Sequence, residues 1–157
     1  MTDIFTVSPI GVINSPFETK EACPIQPKFA GAAIGTVMLF PDYAAGLKDI
    51  EGFSHIYLVY LFDRAGEISF VRSTFLDDTP HGIYASRHPC RPNSVGFSVV
   101  RLLKREESVL TVEGIDVLDK TPLIDIKPYL PKFDLFPDAT NGWAQDKSIR
   151  PKPPGRE

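Results

Sequence analysis

Cysteine is scarce in this chain: Cys23 and Cys90 are the only two among 157 residues. Two thiols without CxxC spacing exclude a disulfide framework and fit a reduced, cytoplasmic setting. Histidine is scarce too, with His55, His81 and His88 scattered along the chain. The spacing of a zinc site is missing, so no metal is expected. Excess positive charge is also missing, since the formal net charge is −3. That leaves no global basic field for a polyanion and confines any nucleic-acid contact to a local patch. The longest apolar run, Ile56 to Phe62, falls far short of the ~20 residues that span a bilayer as a helix, so no membrane partner is expected. Met1 to Phe5 shows no basic stretch followed by a long apolar one, and no signal peptide is expected. Nor is there a GxGxxG, a Walker A lysine loop or a GxSxG elbow. Sequence support for a Rossmann site, a P-loop or a serine hydrolase is therefore absent.

Proline and phenylalanine, by contrast, are abundant, at 15 and 11 residues. Proline breaks helical stretches, and the apolar segments that remain are short and rich in β-branched and aromatic residues. Hydrophobic residues at 43% and charged residues at 24% fit one globular domain with a real core. Strands are expected near residues 4–13, 34–40, 55–62, 82–85, 95–104, 109–115 and 123–126. Residues 95–103 partly alternate, as a half-buried strand does, whereas 55–62 are apolar almost throughout, as in a strand buried on both faces. The residues Arg105-Glu106-Glu107-Ser108 read as the turn of a hairpin. One short helix is expected over 41–47, with Asp42 as its cap. Residues 15–29, 63–81 and 128–141 read as loops, and 150–157 as a mobile proline-rich end. The architecture expected is mainly β: a small antiparallel β-barrel with irregular loops. The barrel domain is placed at 1–141 and a C-terminal tail at 142–157.

The densest polar signal is Ser86-Arg87-His88-Pro89-Cys90-Arg91-Pro92-Asn93-Ser94-Val95-Gly96-Phe97-Ser98. Pro89 and Pro92 fix φ and stiffen a loop whose side chains are donors. Such a loop suits an anionic or planar ligand, because a guanidinium presents a rigid fork. Arg87 and Arg91 read either as a solvated turn or as a pair addressing a carboxylate, phosphate or base. Asn93 either shapes a turn or reads a ligand edge. A second run, Asp116-Val117-Leu118-Asp119-Lys120-Thr121-Pro122-Leu123-Ile124-Asp125-Ile126-Lys127-Pro128-Tyr129, follows downstream. Here Asp125 lies between two isoleucines, and the strand period sets it opposite them, beside Lys127 and facing solvent or a cleft. The pair is a structural salt bridge or part of a site. A third stiff polar run is Cys23-Pro24-Ile25-Gln26-Pro27-Lys28.

Together these segments resemble the TsaA-like family, also called the TrmO family. Its Q-P element matches Gln26-Pro27, its R-P-N-x-I-G element matches Arg91 to Gly96, and its D-x-x-D-G-T-P-x-x-D-I-K-P-Y element matches Asp116 to Tyr129. A further match runs from Gly46 to His55. Lys120 stands where the family carries glycine, and Val95 where it carries isoleucine. The resemblance implies a small β-barrel that binds S-adenosylmethionine, forms homodimers with cofactor sites near the interface, and methylates N6 of threonylcarbamoyl-adenosine beside the tRNA anticodon. Carried over by position, the cofactor meets Gln26, Pro27, Lys28, Asp63, Arg64, Arg87, Phe97, Ile115, Asp116, Val117, Leu118 and Asp119. Arg91, Asn93, Asp125, Lys127 and Tyr129 are the candidates for substrate orientation and catalysis, with Asp125 as a base. The short stretch beyond the core leaves no room for the extra C-terminal domain that bacterial members often carry. Two alternatives stay open on that ground and on the acidic balance: a methyltransferase of the same fold acting on a small molecule, and a non-catalytic S-adenosylmethionine-binding regulatory domain.

Overall fold

The computed structural model describes residues 2–153, apart from the side chain of Pro27. Six strands of the described residues hydrogen-bond into a closed antiparallel barrel in the order β1-β2-β7-β6-β3-β8. They are β1 (Gly11–Asn14), β2 (Ile34–Leu39), β3 (His55–Leu61), β6 (Val95–Glu106), β7 (Val109–Glu113) and β8 (Thr121–Pro128). A separate ribbon pairs β4 (Val71–Arg72) with β5 (His81–Gly82). The barrel closes where β1 meets β8, with Gly11 opposite Leu123 and Ile13 opposite Thr121. The mainly β, antiparallel barrel expected from the sequence is thus the observed fold.

One side of each strand fills the barrel. Ile13, Val37, Ile56, Leu58, Leu110, Val112 and Leu123 are fully buried and form one cluster. Truncating such a leucine to alanine costs about 2–5 kcal/mol. Instead of burying both faces, β3 alternates, because an antiparallel barrel without a covering helical layer leaves its outer face half open. In β8 the register slips between Val59 and Tyr60 of the partner strand, which face Asp125 and Leu123. The extra residue, Ile124, is a bulge. It resets the pleat, so Ile126 packs against the core while Asp125 and Lys127 turn outward. At Gly96 an added Cβ would sit 2.5 Å from the Tyr60 ring and 2.6 Å from that of Phe62. Only glycine lets these two rings cross β6.

Several boundaries differ from the expected ones. Of residues 4–13 only Gly11–Ile13 join the barrel, with Asn14 beyond them. The neighbouring strand β2 ends at Leu39, and Pro9 has no backbone donor. Ile4 and Phe5 are exposed. The strand expected at 82–85 is instead the end of β5 followed by a 3-10 turn, Ile83–Ala85. Pro41–Leu47 is a 3-10 helix entered from extended Phe40, and no side chain caps it. Within the expected loop 128–141 lies one α-helical turn, α1 (Pro131–Asp134). Residues 142–152 pack against the loops rather than trailing away, and residues 154–157 lie outside the described part.

Candidate functional site

Three connections fold over one end of the barrel: residues 15–33 between β1 and β2, 62–94 between β3 and β6, and 114–120 between β7 and β8. They enclose a cleft of about 980 Å³ with Gln26, Phe62, Arg87, Phe97 and Asp116 in its wall. That is the upper end of the size of small-molecule sites. All three polar runs singled out in the sequence reach it.

The floor of the cleft is polar and buried. Asp116 is 8% exposed and Ser98 1%. The Ser98 hydroxyl donates to Asp116 Oδ1 at 2.5 Å, and Tyr60 Oη lies 2.8 Å from Ser98 Oγ. Serine has one proton to give. With that proton directed at Asp116, Tyr60 is the donor to Ser98. Burial pushes the Asp116 carboxyl up to about 7, against the pull of the Ser98 hydrogen bond and of Arg87. Cys23 Sγ donates to the backbone oxygen of Asp116 at 3.0 Å. Burial first, and then Asp116, push that thiol up to about 12, so it is not a thiolate nucleophile at neutral pH.

The walls are cationic and aromatic. Arg87 donates to Gln26 Oε1 at 2.6 Å and lies over the Phe97 ring at 5.1 Å from its centroid. Arg64 donates to the Asp119 carbonyl at 2.8 Å and to Thr121 Oγ1 at 3.2 Å, and its neighbour Asp63 accepts from it at 3.2 Å. Arg91 braces its own loop through the carbonyls of Ser86 and His88, at 2.8 and 3.5 Å. His88 is buried, and its Nδ1 accepts from the Cys90 N–H at 3.1 Å. Its proton is therefore on Nε2 and the ring is neutral.

A last wall comes from the segment read as a tail. Trp143 stacks on His81 with 3.8 Å between centroids and donates to the Ala85 carbonyl at 2.8 Å. Lys147 pairs with Asp77 at 3.2 Å, and Arg150 donates to the Phe75 carbonyl at 2.6 Å. Lys152 donates to the carbonyl of Lys20 at 2.7 Å. Desolvation works against ionised Asp77, but the hydrogen bonds from His81 and Lys147 outweigh it and hold this carboxyl below its usual range.

Of the residues carried over for the cofactor, Gln26, Asp63, Arg64, Arg87, Phe97, Asp116, Val117 and Leu118 line the cleft. Ile115 is fully buried in the core beneath it. Asp119 instead fastens the turn, accepting from the Ser15 N–H at 2.9 Å. Lys28 is exposed beside the cleft, and Pro27 opens the 3-10 turn Pro27–Phe29. Of the residues chosen for chemistry, only Arg91 is in the wall. Asn93 is exposed with φ 66°, a left-handed conformation that suits asparagine and shapes the turn. Asp125 and Lys127 pair at 3.0 Å on the outer face of the barrel. Tyr129 is near them, its ring 5.6 Å from Tyr57, which in turn lies 6.3 Å from Phe97. This aromatic ladder joins the outer face to the cleft rim. Sequence reasoning missed Tyr60, Ser98 and Trp143. A hydroxyl at an inward position of an apolar strand was the available signal for Ser98.

Comparison with known proteins matches residues 12–135 to the tRNA-methyltransferase O N-terminal domain. The chain belongs to that family. A probable S-adenosyl-L-methionine-binding protein of Pyrococcus abyssi is 46% identical over 137 residues, covering 87% of this chain and 74% of that protein. The tRNA (adenine(37)-N6)-methyltransferase of Escherichia coli is 35% identical over 151 residues, 90% of this chain and 64% of its own. The crystal structure of TrmO from Pseudomonas aeruginosa superposes with a TM-score of 0.76 at 42% identity, over 90% of this chain and 63% of that one. The chain thus spans under two thirds of the latter two proteins.

Proposed function

We propose that this chain is an S-adenosylmethionine-dependent methyltransferase acting on N6 of an adenine in tRNA, with threonylcarbamoyl-adenosine as the acceptor. The convergence of Gln26, Arg87 to Phe97 and Asp116 to Leu118 on one cleft carries this reading. The cleft suits the cofactor chemically. It combines a planar guanidinium and amide for polar edges, the Phe62 and Phe97 rings for a flat base, and a buried carboxyl at the floor. Gln26, Arg87, Phe97 and Asp116 to Leu118 would hold the cofactor, with Asp63 and Arg64 at the rim and Lys28 close by. When bound, it supplies an electrophilic methyl group on a positive sulfur. The task of the walls is then alignment, which can supply much of a transfer rate. The Arg87 fork is already fixed by Gln26 and Phe97, so little is lost in ordering it.

The roles of Asp125, Lys127, Tyr129 and Asn93 toward the acceptor belong to the same reading. Asp125 would serve as base or orienting acceptor. Because Asp125 and Lys127 face outward, they reach a cleft only when a second copy stands against this face. Half-exposed Tyr57, Tyr129, Val95 and Phe97 give that face the apolar surface a homodimer needs. Among the described residues no helix is long and apolar enough to cross a membrane, and a cytoplasmic setting accords with a tRNA substrate. The deciding experiment incubates the protein with tRNA and isotope-labelled S-adenosylmethionine, then measures nucleosides by mass spectrometry. Label on N6-methylated threonylcarbamoyl-adenosine is expected. Label only on small molecules, or binding without transfer, would replace this function by one of the two alternatives.

A further inference from the structure

Among the described residues, every cation that lines the cleft has an acceptor other than Asp116, or forms no ion pair with it. Arg87 is held by Gln26 and Phe97, Arg64 by Asp63, Asp119 and Thr121, and Arg91 by Ser86 and His88. Lys147 pairs with Asp77 and Lys152 donates to Lys20 and Cys23 carbonyls. Lys20 also lines the cleft but makes no ion pair with Asp116, and His88 accepts through Nδ1 and is neutral. From the strands, Tyr60 reaches Asp116 only through Ser98, and from the first loop Cys23 gives its proton to the Asp116 backbone oxygen. Asp63 and Tyr84 are on the exposed rim. A carboxyl this deeply buried, with no ion pair among the described residues and only the pull of Arg87 on its charge, is costly to ionise, so below neutral pH it holds its proton until a positive group arrives. The two hydroxyls can serve either state. Tyr60 donates to Ser98 and Ser98 to an ionised Asp116, or the direction reverses from a protonated one.

We propose that the Tyr60–Ser98–Asp116 chain reads the charge of the cleft's occupant: Asp116 receives the positive centre of the cofactor and gives up one proton to solvent as it does so. This rests on the cofactor reading above. Asp116 pairs with the ligand, and Ser98 and Tyr60 are positioning residues that hold the ionised form. The bookkeeping of charge is closed, since a neutral acid and a positive ligand become an ion pair and a released proton. S-adenosylmethionine offers two positive centres, an ammonium and a sulfonium, and three ligands separate them.

The test is calorimetry on the full chain, in two buffers of different ionisation enthalpy, below, at and above neutral pH. S-adenosylmethionine is compared with S-adenosylhomocysteine, which keeps only the ammonium, and with methylthioadenosine, which has neither. Release approaching one proton is expected with S-adenosylmethionine below neutral pH, about half of that at neutral pH and little above it, with affinity rising about tenfold per pH unit on the acid side. Release with both of the first two ligands assigns the ammonium; release with S-adenosylmethionine alone assigns the sulfonium. Asp116→Asn, which keeps an acceptor for Ser98, should release no proton and bind at least tenfold more weakly with a flat pH profile. Ser98→Ala should keep the proton release but move the profile to higher pH. Equal proton release with methylthioadenosine overturns the proposal, as does wild-type binding that is flat in pH or an Asp116→Asn variant that still releases a proton. No S-adenosylmethionine binding at any pH would instead overturn the cofactor reading, and this inference with it. The wild-type measurements decide the matter even where the variants fail to fold.

Discussion

Lys120 holds φ at 65°, where a side chain costs ~1–2 kcal/mol relative to glycine. Its ammonium offsets part of that by donating to Asn14 Oδ1 at 2.6 Å, which ties the turn before β8 to the end of β1. At Arg91 the structure assigns the same bracing function inside the arginine loop. Both bonds leave one guanidinium nitrogen, Nη1, and lysine there offers only a shorter, more strongly hydrated ammonium to reach the two carbonyls. Arg91→Lys should therefore lower loop stability by about 1 kcal/mol and activity together, as read by urea unfolding beside methyl transfer. Lost activity at unchanged stability would restore a purely ligand-facing role. Asp116 gives a pH prediction. Its folded value of about 7 lies above the usual unfolded value of ~3.9, so the folded protein binds the extra proton between them. Its contribution to stability is complete below pH ~4 and declines as pH rises toward ~7, by roughly 4 kcal/mol at most. Unfolding of Asp116→Asn should lack this decline. If wild type and variant keep a constant difference across that range, the carboxyl is ionised throughout.

At the scale of elements, the C-terminal segment is the least expected part of the cleft. Its partners are far away in sequence: Trp143 meets His81 and Ala85, and Arg150 meets Phe75 and Asp78. A composition of prolines and charges says nothing of such distant contacts, so residues 142–152 read as a tail. Tyr60 and Ser98 were hidden for a related reason. They meet only because β3 and β6 pair with Leu58 opposite Ser98 and Tyr60 opposite Gly96, and register is a property of two strands together. The arginine loop and the Asp116 turn were legible because proline and glycine fix their backbones locally. The hairpin between β6 and β7 was legible for another local reason, the short polar stretch Arg105 to Ser108 between two strand-like runs. Asp125 was expected opposite both Ile124 and Ile126; it is opposite Ile126, but Ile124 is the bulge where the simple strand period breaks, and that bulge has no signature in sequence. A fourth variant tests the C-terminal wall. Trp143→Ala removes the stack and the indole hydrogen bond, so proteolysis within 140–152 should speed up several-fold and cofactor affinity should fall. The melting midpoint of the barrel, followed by far-UV circular dichroism, should hardly move. A matching fall in that midpoint would make the segment part of the folding core.

At the scale of the molecule, the proposed homodimer turns on what covers the outer face. Sedimentation at micromolar concentration should give twice the chain mass of 17.4 kDa. Tyr57→Lys, in the middle of the aromatic ladder, should shift it toward the single-chain value while leaving the cofactor cleft of each copy in place. A wild-type monomer with full transfer activity would remove the outer-face residues from the reaction. Closure pairs strands about a hundred residues apart, at Gly11 and Leu123, so folding should be slow for this size, in the millisecond to second range.

Trp143 is the only tryptophan in the chain, and it belongs to the cleft wall, not to the barrel core. Its emission is therefore an optical reporter of how the C-terminal segment is seated. Because the indole is stacked on the His81 ring, an occupant of the cleft that disturbs the stack should change its yield without any added label. Denaturation followed by fluorescence will then record the release of that wall, while circular dichroism records the strands. The two curves should separate in this protein, with the optical signal lost first.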